Sequence, residues 1–271
     1  DGEREEIVRP RVRQQQADGK TAEVPLETYQ AASCPQQLQQ AIVTALVAGV
    51  STREVKQLQP ASPGVGKSNV SRLWQTAGSK FVDALRDKDL ASEDWAILML
   101  DGIRLSKDQL AVVAVGITAG GEKQVLDFEL GGSENSEVCR GLLRRLTRRG
   151  FACSRRLLAV LDGSEALKSA LLEFFPDAVV QRCLVHKERN LRGKLSKRHW
   201  GTLASLFKRL REVQGPQAAQ EVVAELVAFL KPLNAEALAS LEEAGDELIA
   251  LHCLNVPNPL HRSLLRTNAI E

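Results

Sequence analysis

The alternation of apolar runs and helical repeats between residues 95 and 186 constrains the fold more than any other feature of this sequence. Three apolar runs come first, and the Gly120-Gly121 pair between the last two marks a hairpin turn. Short buried strands then alternate with amphipathic helices, and an opening meander joined to crossover units predicts an α/β fold with a mixed sheet. The expected order is strand 95–100, strand 110–117, strand 125–130, helix 134–149, strand 157–161, helix 164–175 and strand 178–185.

Residues 37 to about 90 show a helical pattern of a different kind. Gly49 is positioned as the C-terminal cap of a first helix, Ser51 as the N-cap of a short second one, and a longer helix begins at Ser68. This arrangement predicts a helix-turn-helix, although its 60–66 connection is long, and a helical subdomain that only packs fits the pattern equally well. In the first interpretation the residues that face DNA are Lys67, Ser68, Asn69 and Ser71.

Two aspartates stand at equivalent points of the predicted sheet. Asp101 ends the first strand and Asp162 ends the fourth, and each precedes a glycine. If the two strands are neighbours, both carboxylates face one site, where their mutual repulsion favours a bound cation. Hard divalent ions such as Mg²⁺ prefer oxygen ligands of this kind. The alternative is that Asp-Gly simply forms a turn at both places.

Composition excludes several classes of protein. No apolar run reaches the roughly 18 residues of a membrane span, and the amino terminus has no apolar core like that of a secretion signal. The five cysteines include no CxxC pair, so reduced thiols are expected rather than a disulfide framework or a closed zinc site. We expect a cytoplasmic protein and, because the single methionine is Met99 and the sequence stops at Glu271, a fragment at both ends.

Basic residues are clustered, although the net charge is only +2. They recur every four residues along one face of helix 134–149, and a second cluster follows the last predicted strand. A solvated face is the usual explanation for such runs, but few acidic residues interleave here to neutralise them. We therefore predict phosphate contacts with little sequence preference. The residues assigned to this role are Arg140, Arg144, Arg148, Arg182, Lys187 and Arg189.

Five short stretches of the sequence, taken together and in this order, are a specific signal. They are Gly49-Val50-Ser51-Thr52-Arg53, Leu100-Asp101-Gly102, Leu161-Asp162-Gly163, the run Gln-Arg-Cys-Leu-Val-His-Lys-Glu-Arg-Asn from Gln181 to Asn190, and Thr267-Asn268-Ala269-Ile270-Glu271. They resemble the Mutator-type transposases of bacterial insertion sequences, over most of the chain from about residue 40 onward. The resemblance implies a ribonuclease H-like mixed sheet with flanking helices, interrupted by an all-helical insertion and preceded by a helix-turn-helix-like DNA-binding domain.

The resemblance also implies roles for individual residues. Asp101, Asp162 and Glu271 look like the catalytic Asp-Asp-Glu triad that holds metal ions, and Cys183 and His186 match the family's Cys-x-x-His pair beside the active site. We assign that pair to shaping the site or contacting DNA, since it supplies only two of the four ligands of a zinc site. The implied parts are a linker or remnant of an upstream domain (1–36), a helical DNA-binding domain (37–92), a catalytic domain truncated at its C-terminus (93–194 and 255–271) and a helical insertion (195–254).

The activity implied by the resemblance is metal-dependent cleavage at the ends of an insertion element, followed by strand transfer into target DNA. Such phosphoryl transfer uses two ions, Mg²⁺ or Mn²⁺, about 3.5 to 4 Å apart. The expected partners are double-stranded DNA of the terminal repeats and the target, bound by a homodimer on paired ends, in the bacterial cytoplasm near the nucleoid and away from membranes. Two alternatives stay open: a catalytically silent or domesticated DNA-binding relative, and a ribonuclease H-like nuclease that cuts without joining.

Overall fold

The computed structural model describes residues 13–15, 21–23, 36–58, 65–132, 135–254, 256, 261, 263–265 and 267. The chain divides into two compact units, residues 1–84 and residues 85–271, which are described separately. Among the described residues, no helix combines the length and the apolar character that crossing a membrane requires.

The first unit contains a short strand pair and helices at the predicted places. Strands β1 (Arg13–Gln15) and β2 (Thr21–Glu23) pair in antiparallel orientation, in a stretch for which no strand was predicted. These strands could not be predicted, because each has only three residues and neither shows an apolar alternation. The helices are α1 (Gln36–Val47), α2 (Val55–Leu58) and α3 (Lys67–Asp87).

A small apolar core joins these three helices. Gly49, with a φ of +92°, ends the first helix as predicted, and its amide donates to the carbonyl of Leu46. Residues 59–64, which include most of the connection of the predicted helix-turn-helix, lie outside the described residues, so that motif stays a prediction. The buried members of the core are Ile42, Val55, Val65 and Val70.

The second unit is built on a five-stranded mixed sheet with the order β5-β4-β3-β6-β7. Strands β3 and β5 are antiparallel to β4, whereas β6 runs parallel to β3, and β7 runs parallel to β6. The α/β class with a mixed sheet is therefore confirmed. The strands are β3 (Trp95–Arg104), β4 (Leu110–Thr118), β5 (Lys123–Gly131), β6 (Leu158–Leu161) and β7 (Val179–Arg182).

Strand β3 is longer than the apolar run that predicted it. Its pairing with β4 continues to Arg104, and Asp101 lies opposite Val113 within that pairing. The pairing with β6, by contrast, ends at Leu100 and Leu161. The prediction that Asp101 ends its strand is therefore wrong on the β4 side and right on the β6 side, because the hairpin with β4 extends the ladder from Gly102 to Arg104.

Helices cover both faces of the sheet. On one face, α4 (Ser136–Arg148) and α5 (Glu165–Phe174) share a core with Leu100. Met99 points to the other face and joins the core formed with the helices that follow β7. Because side chains alternate along a strand, Asp101 lies on the same face as Met99.

The chain from residue 184 to residue 253 consists of helices and short connections, which we call the helical region. Strand β7 stops at Arg182, not at residue 185 as predicted, because Cys183 already takes the N-cap position of the next helix. Short apolar runs do not distinguish a strand from the start of a helix by period alone. The elements are α6 (Leu184–Lys194), α7 (Trp200–Glu212), α8 (Pro216–Leu230), α9 (Ala235–Ala244) and α10 (Ala250–Cys253), with 3-10 turns at Lys197–His199 and Gly245–Leu248.

His252 is a buried histidine of α10. Its Nε2 lies 2.8 Å from the carbonyl oxygen of Leu210 and donates to it, while its Nδ1 is buried with no hydrogen-bond partner among the described residues. Burial is the main reason that the pKa of His252 is lower than usual, and the nearby His261 lowers it further. The folded protein therefore resists protonation of this ring.

We expect the free energy of unfolding to decrease as the pH falls below about 6.5, the usual pKa of histidine. In that range the unfolded chain binds a proton that the folded chain does not, so up to about 1.4 kcal/mol of stability is lost per pH unit. The variant His252→Gln keeps a donor for the Leu210 carbonyl without the titrating ring, so its stability should depend less on pH. Urea unfolding at several pH values compares the two proteins, and equal slopes would contradict the prediction.

Candidate active site

The parallel register between β3 and β6 brings two aspartates together. Leu100 lies opposite Leu161 in the last pair of that ladder. Asp101 and Asp162 come next on the two strands and are therefore neighbours across the ladder. Their carboxylates are close enough that the charge of Asp162 contributes to raising the pKa of Asp101. The structure thus places two of the predicted site residues side by side.

The carboxyl group of Asp101 is buried and only half satisfied. Its Oδ1 accepts a hydrogen bond from the amide of Gly102 at 2.9 Å, whereas Oδ2 is buried with no hydrogen-bond partner within the described part of the chain. Burial raises the pKa of Asp101, and the nearby Thr267 hydroxyl and the charge of His186 offset only part of that rise. A buried carboxylate oxygen without a partner is unfavourable unless a cation or a proton binds it.

Asp162 begins the tight turn that joins β6 to α5. Its Oδ1 accepts from the amide of Ser164 at 2.9 Å, and the Ser164 side chain in turn caps α5. Gly163 has a φ of +114°, which residues with side chains rarely adopt, and a Cβ there would collide with the guanidinium of Arg182. The Asp-Gly pair at 162 and 163 therefore does form a turn, and the same turn presents the carboxylate.

The predicted cysteine–histidine pair lies next to the aspartates, together with a residue that the sequence analysis gave no role. Cys183 is buried at the N-cap of α6, and His186 follows it in the first turn of that helix. Thr267 is fully buried, and its amide nitrogen and hydroxyl oxygen lie 3.4 and 3.5 Å from the Sγ of Cys183. The same hydroxyl lies 3.3 Å from Nδ1 of His186. Thr267, the last described residue, therefore holds the end of the described chain at this site.

Hydrogen bonding within this pair shifts the pKa of each side chain towards its charged form. The hydrogen bond to Cys183 raises the pKa of His186 to about 9 against the effect of burial, and the negative charges of the thiolate and the two aspartates add to the rise. Burial acts to raise the pKa of Cys183, but the hydrogen bonds from His186 and Thr267 outweigh it and the pKa is lowered. His186 therefore supplies a positive charge that offsets part of the repulsion between the carboxylates.

The third predicted acid, Glu271, lies outside the described residues. It follows Thr267 by four residues, which span at most about 14 Å when fully extended. Within the ranges that the structure describes, no group of three or more His, Cys, Asp or Glu side chains is arranged to hold a metal ion. The described part of the site therefore offers two neighbouring carboxylates, one of them with an unsatisfied oxygen.

Arg182 and Lys187 do not have the exposed positions that DNA contact requires, and their assignment is corrected. Each side chain is only 3% exposed. Arg182 pairs with Glu243 and Glu247 at 2.8 Å, and Lys187 pairs with Glu243 at 2.9 Å. The neutralising acids lie in and just after α9, so a search for acidic residues within the basic run does not find them.

The arginines of α4 also differ from one another. Arg140 pairs with Glu137 of the same helix at 3.0 Å and with Glu173 of α5 at 2.7 Å, so the expectation that too few acids neutralise the basic run is wrong for Arg140. Arg144 and Arg148 are exposed on the same helix. Because α4 covers the sheet face opposite to that of Asp101, DNA contact by these two arginines stays a prediction.

The remaining predicted DNA contacts keep accessible positions. Lys67 and Ser68 are exposed in the first turn of α3, which begins one residue earlier than predicted, and Asn69 and Ser71 are half-buried. In the second unit, Arg189 is exposed on α6, three residues beyond the histidine of the cysteine–histidine pair. Residues three apart lie on neighbouring parts of one helix face. Arg189 is therefore the predicted phosphate contact that lies nearest in sequence to the site.

We expect the variant Asp101→Asn to be more stable than the wild type at pH 7 in the absence of metal. Because the folded pKa of Asp101 is raised, the folded chain binds more protons than the unfolded chain above pH 3.8, so ionisation of this group removes stability as the pH rises. The advantage of the variant should shrink towards pH 4. In thermal unfolding experiments, added Mn²⁺ should raise the melting temperature of the wild type and leave that of the variant unchanged.

The variant Asp94→Asn is the matched comparison, with the opposite sign. Asp94 accepts from the Ser154 hydroxyl at 2.9 Å and amide at 3.1 Å, and these hydrogen bonds lower its pKa. Removing that charge should therefore reduce stability at pH 7. If Asp101→Asn behaved like Asp94→Asn, the destabilising role of the Asp101 carboxylate would be refuted.

Comparison with known proteins places the chain in a family. The family model described as transposase, Mutator family, matches residues 7–271. The chain is 27% identical over 245 residues to the transposase for insertion sequence element IS905 of Lactococcus lactis subsp. lactis, covering 86% of this chain and 60% of that protein. It is 27% identical over 242 residues to the transposase for IS1201 of Lactobacillus helveticus, covering 86% and 64%. Over 277 residues it is 25% identical to the transposase for IS256 in transposon Tn4001 of Staphylococcus aureus, covering 98% and 68%. The chain thus spans about 60% of the length of the first two of these relatives. Because the family model matches nearly the whole chain, the chain belongs to the Mutator family of transposases.

Proposed function

We propose that this protein catalyses metal-dependent cleavage at the ends of an insertion element and transfer of the freed strand into target DNA. The single observation that carries the proposal is the register of β3 and β6, which makes Asp101 and Asp162 neighbours. Neighbouring carboxylates with an unsatisfied buried oxygen form a site suited to a divalent cation. The named relatives are transposases of insertion sequences, which supports the same chemistry here.

The residues present fit a metal site of this kind. Asp101 would offer its unpartnered Oδ2, Asp162 would offer the oxygen that does not accept from Ser164, and Glu271 would complete the set. Mg²⁺ or Mn²⁺ bound there supplies activation of a water or 3′-hydroxyl nucleophile and stabilisation of the leaving oxygen. The carboxylates themselves hold charge and need not carry protons, since only the nucleophile differs between end cleavage and joining.

The position of Thr267 supports the inclusion of Glu271. Its hydrogen bonds with Cys183 and His186 hold the C-terminal segment beside the two aspartates. Glu271 follows Thr267 by four residues, which span at most about 14 Å, so it stays within that distance of Thr267. We assign the cysteine–histidine pair to shaping the site through this contact. Because Cys183 is buried, we do not assign it to contacting DNA.

The wider architecture is part of the same proposal. We assign the sheet to the ribonuclease H-like class, residues 195–254 to an insertion before the glutamate segment, and α1 to α3 to a helix-turn-helix-like DNA-binding domain. The protein would bind double-stranded DNA of the element ends and of the target, as a homodimer, close to the bacterial nucleoid. The order of three meander strands followed by two parallel strands supports the first assignment.

We expect Asp162→Asn to abolish cleavage of DNA that carries the element ends, while DNA binding persists. The loss should exceed about a hundredfold, since even residues that only support metal ligands contribute up to that much. A gel-based nicking assay with added Mn²⁺, run on the complete reading frame, measures the rate. Asp177→Asn is the matched control, because Asp177 is exposed in the loop before β7.

The outcome separates the candidate functions. Cleavage by Asp162→Asn at the wild-type rate would refute the proposal. A wild-type protein that binds the ends but never nicks them would favour the catalytically silent relative. Nicking without any joined product would favour a nuclease that does not transfer strands.

We expect Arg189→Gln to weaken DNA binding by a similar factor for any DNA sequence. Loss of one phosphate contact should reduce the slope of log affinity against log salt concentration by about one. Arg209→Gln is the matched control, because it removes one arginine charge from α7, outside the residues assigned to DNA contact. Fluorescence anisotropy over a range of salt concentrations measures both slopes, and equal slopes for the two variants would contradict the assignment of Arg189.

A further inference from the structure

Arg182 lies directly behind the turn that presents Asp162. It is the last residue of β7 and pairs in register with Leu161, the residue before Asp162. Its Nη1 donates to the carbonyl oxygen of Gly163 at 3.0 Å. A Cβ at Gly163 would strike this guanidinium, so the turn is closed tightly around it.

The other nitrogens of the same guanidinium bind the helical region. Nε donates to Glu247 at 3.0 Å and Nη2 donates to Glu243 at 2.8 Å. Glu243 belongs to α9 and Glu247 to the 3-10 turn that follows it. Because the guanidinium is a rigid planar fork, these partners fix its orientation and therefore the direction of the Nη1 donor.

The acids that hold Arg182 are themselves held by lysines. Glu243 also accepts from Lys187 at 2.9 Å, and Lys187 donates to the Ser240 carbonyl at 2.7 Å. Glu247 also pairs with Lys168 of α5. The buried arginine is thus charge-compensated from two elements, which allows it to remain at this position.

We propose that Arg182 is a positioning residue for Asp162. Through the Gly163 carbonyl it holds the Gly163–Ser164 peptide, whose amide donates to Asp162, and so keeps the carboxylate in the conformation that binds a divalent cation. It also makes that conformation depend on the helical region, which supplies both acids. The inference rests on the proposed function, in which Asp162 is a metal ligand.

The test uses Arg182→Lys in the complete reading frame. Lysine keeps the buried positive charge but cannot reach both acids and the Gly163 carbonyl at once. The Mn²⁺ concentration that half-saturates cleavage should rise about tenfold or more, the range for residues that orient metal ligands. The cleavage rate at saturating Mn²⁺ and the affinity for DNA should stay near the wild-type values.

Two measurements do not depend on activity. Direct Mn²⁺ binding, read from the loss of the free-ion paramagnetic resonance signal, should weaken by the same factor. In the metal-free protein, amide hydrogen exchange over residues 162–166 should accelerate, because the Ser164 amide donates to Asp162 in the turn.

Two further variants separate positioning from stability. Glu247→Gln weakens the contacts of residue 247 with both Arg182 and Lys168. Lys168→Gln removes only the contact between Lys168 and Glu247. Glu247→Gln should shift Mn²⁺ binding and exchange in the same direction as Arg182→Lys, and Lys168→Gln, which leaves the contact between Glu247 and Arg182 in place, should have a much smaller effect. If Arg182→Lys does not fold, this comparison alone decides the question.

The result that overturns the inference is unchanged Mn²⁺ binding and unchanged exchange in every folded variant of Arg182 and Glu247. An equal shift in Lys168→Gln also overturns it, since that variant leaves Gly163 untouched. Failure of the proposed function gives a different result, namely cleavage by Asp162→Asn at the wild-type rate. In that case the exchange data still report whether Arg182 holds the turn.

Discussion

The parallel pairing of β3 with β6 is the constraint on which the rest of the structure depends. With Leu100 opposite Leu161, the two aspartates that follow are neighbours across the ladder. A shift of one residue in this register would turn one set of side chains to the other face, and would place an apolar residue beside a carboxylate. The register is in turn fixed by burial on both faces, since Leu100 packs with α4 and α5 while Met99 packs with the helical region. The core of the protein therefore specifies the geometry of the site.

Charge compensation around the site follows two different patterns. Behind the Asp162 turn, Arg182 is enclosed by acids and a carbonyl, and every one of its nitrogens has a partner. Because every nitrogen of this guanidinium has an acceptor, we expect the hydrogen-bond network to be rigid. In front of the turn, Asp101 keeps a buried oxygen with no partner in the described part of the chain, and the nearby Thr267 hydroxyl and the charge of His186 offset only part of the effect of burial on its pKa. In the proposed function, the satisfied cluster would support the turn, and the oxygen without a partner among the described residues would bind a cation.

The sequence predicted what depends on local pattern and missed what depends on distant partners. The mixed sheet could be predicted, because apolar runs mark buried strands, whereas the closeness of Asp101 and Asp162 depended on the condition that their two strands are neighbours. The roles of Arg182 and Lys187 could not, because their acidic partners lie more than fifty residues further along the chain. The same applies to Arg140, which is neutralised in part from α5. Thr267 belongs to one of the sequence motifs, but its contact with Cys183 could not be predicted, because the fold brings the two residues together.

Three segments distant in sequence meet at this site, and each is anchored by a buried contact rather than by the site itself. Asp101 is carried by a strand paired on both sides, Asp162 by a turn closed on Arg182, and the C-terminal segment by Thr267 against Cys183. Anchoring of this kind lets a protein keep two carboxylates close together at some expense in stability, because the surrounding packing holds them there. In the proposed function, a divalent cation bound between them would relieve repulsion that the fold has already imposed, so metal binding would not have to assemble the site.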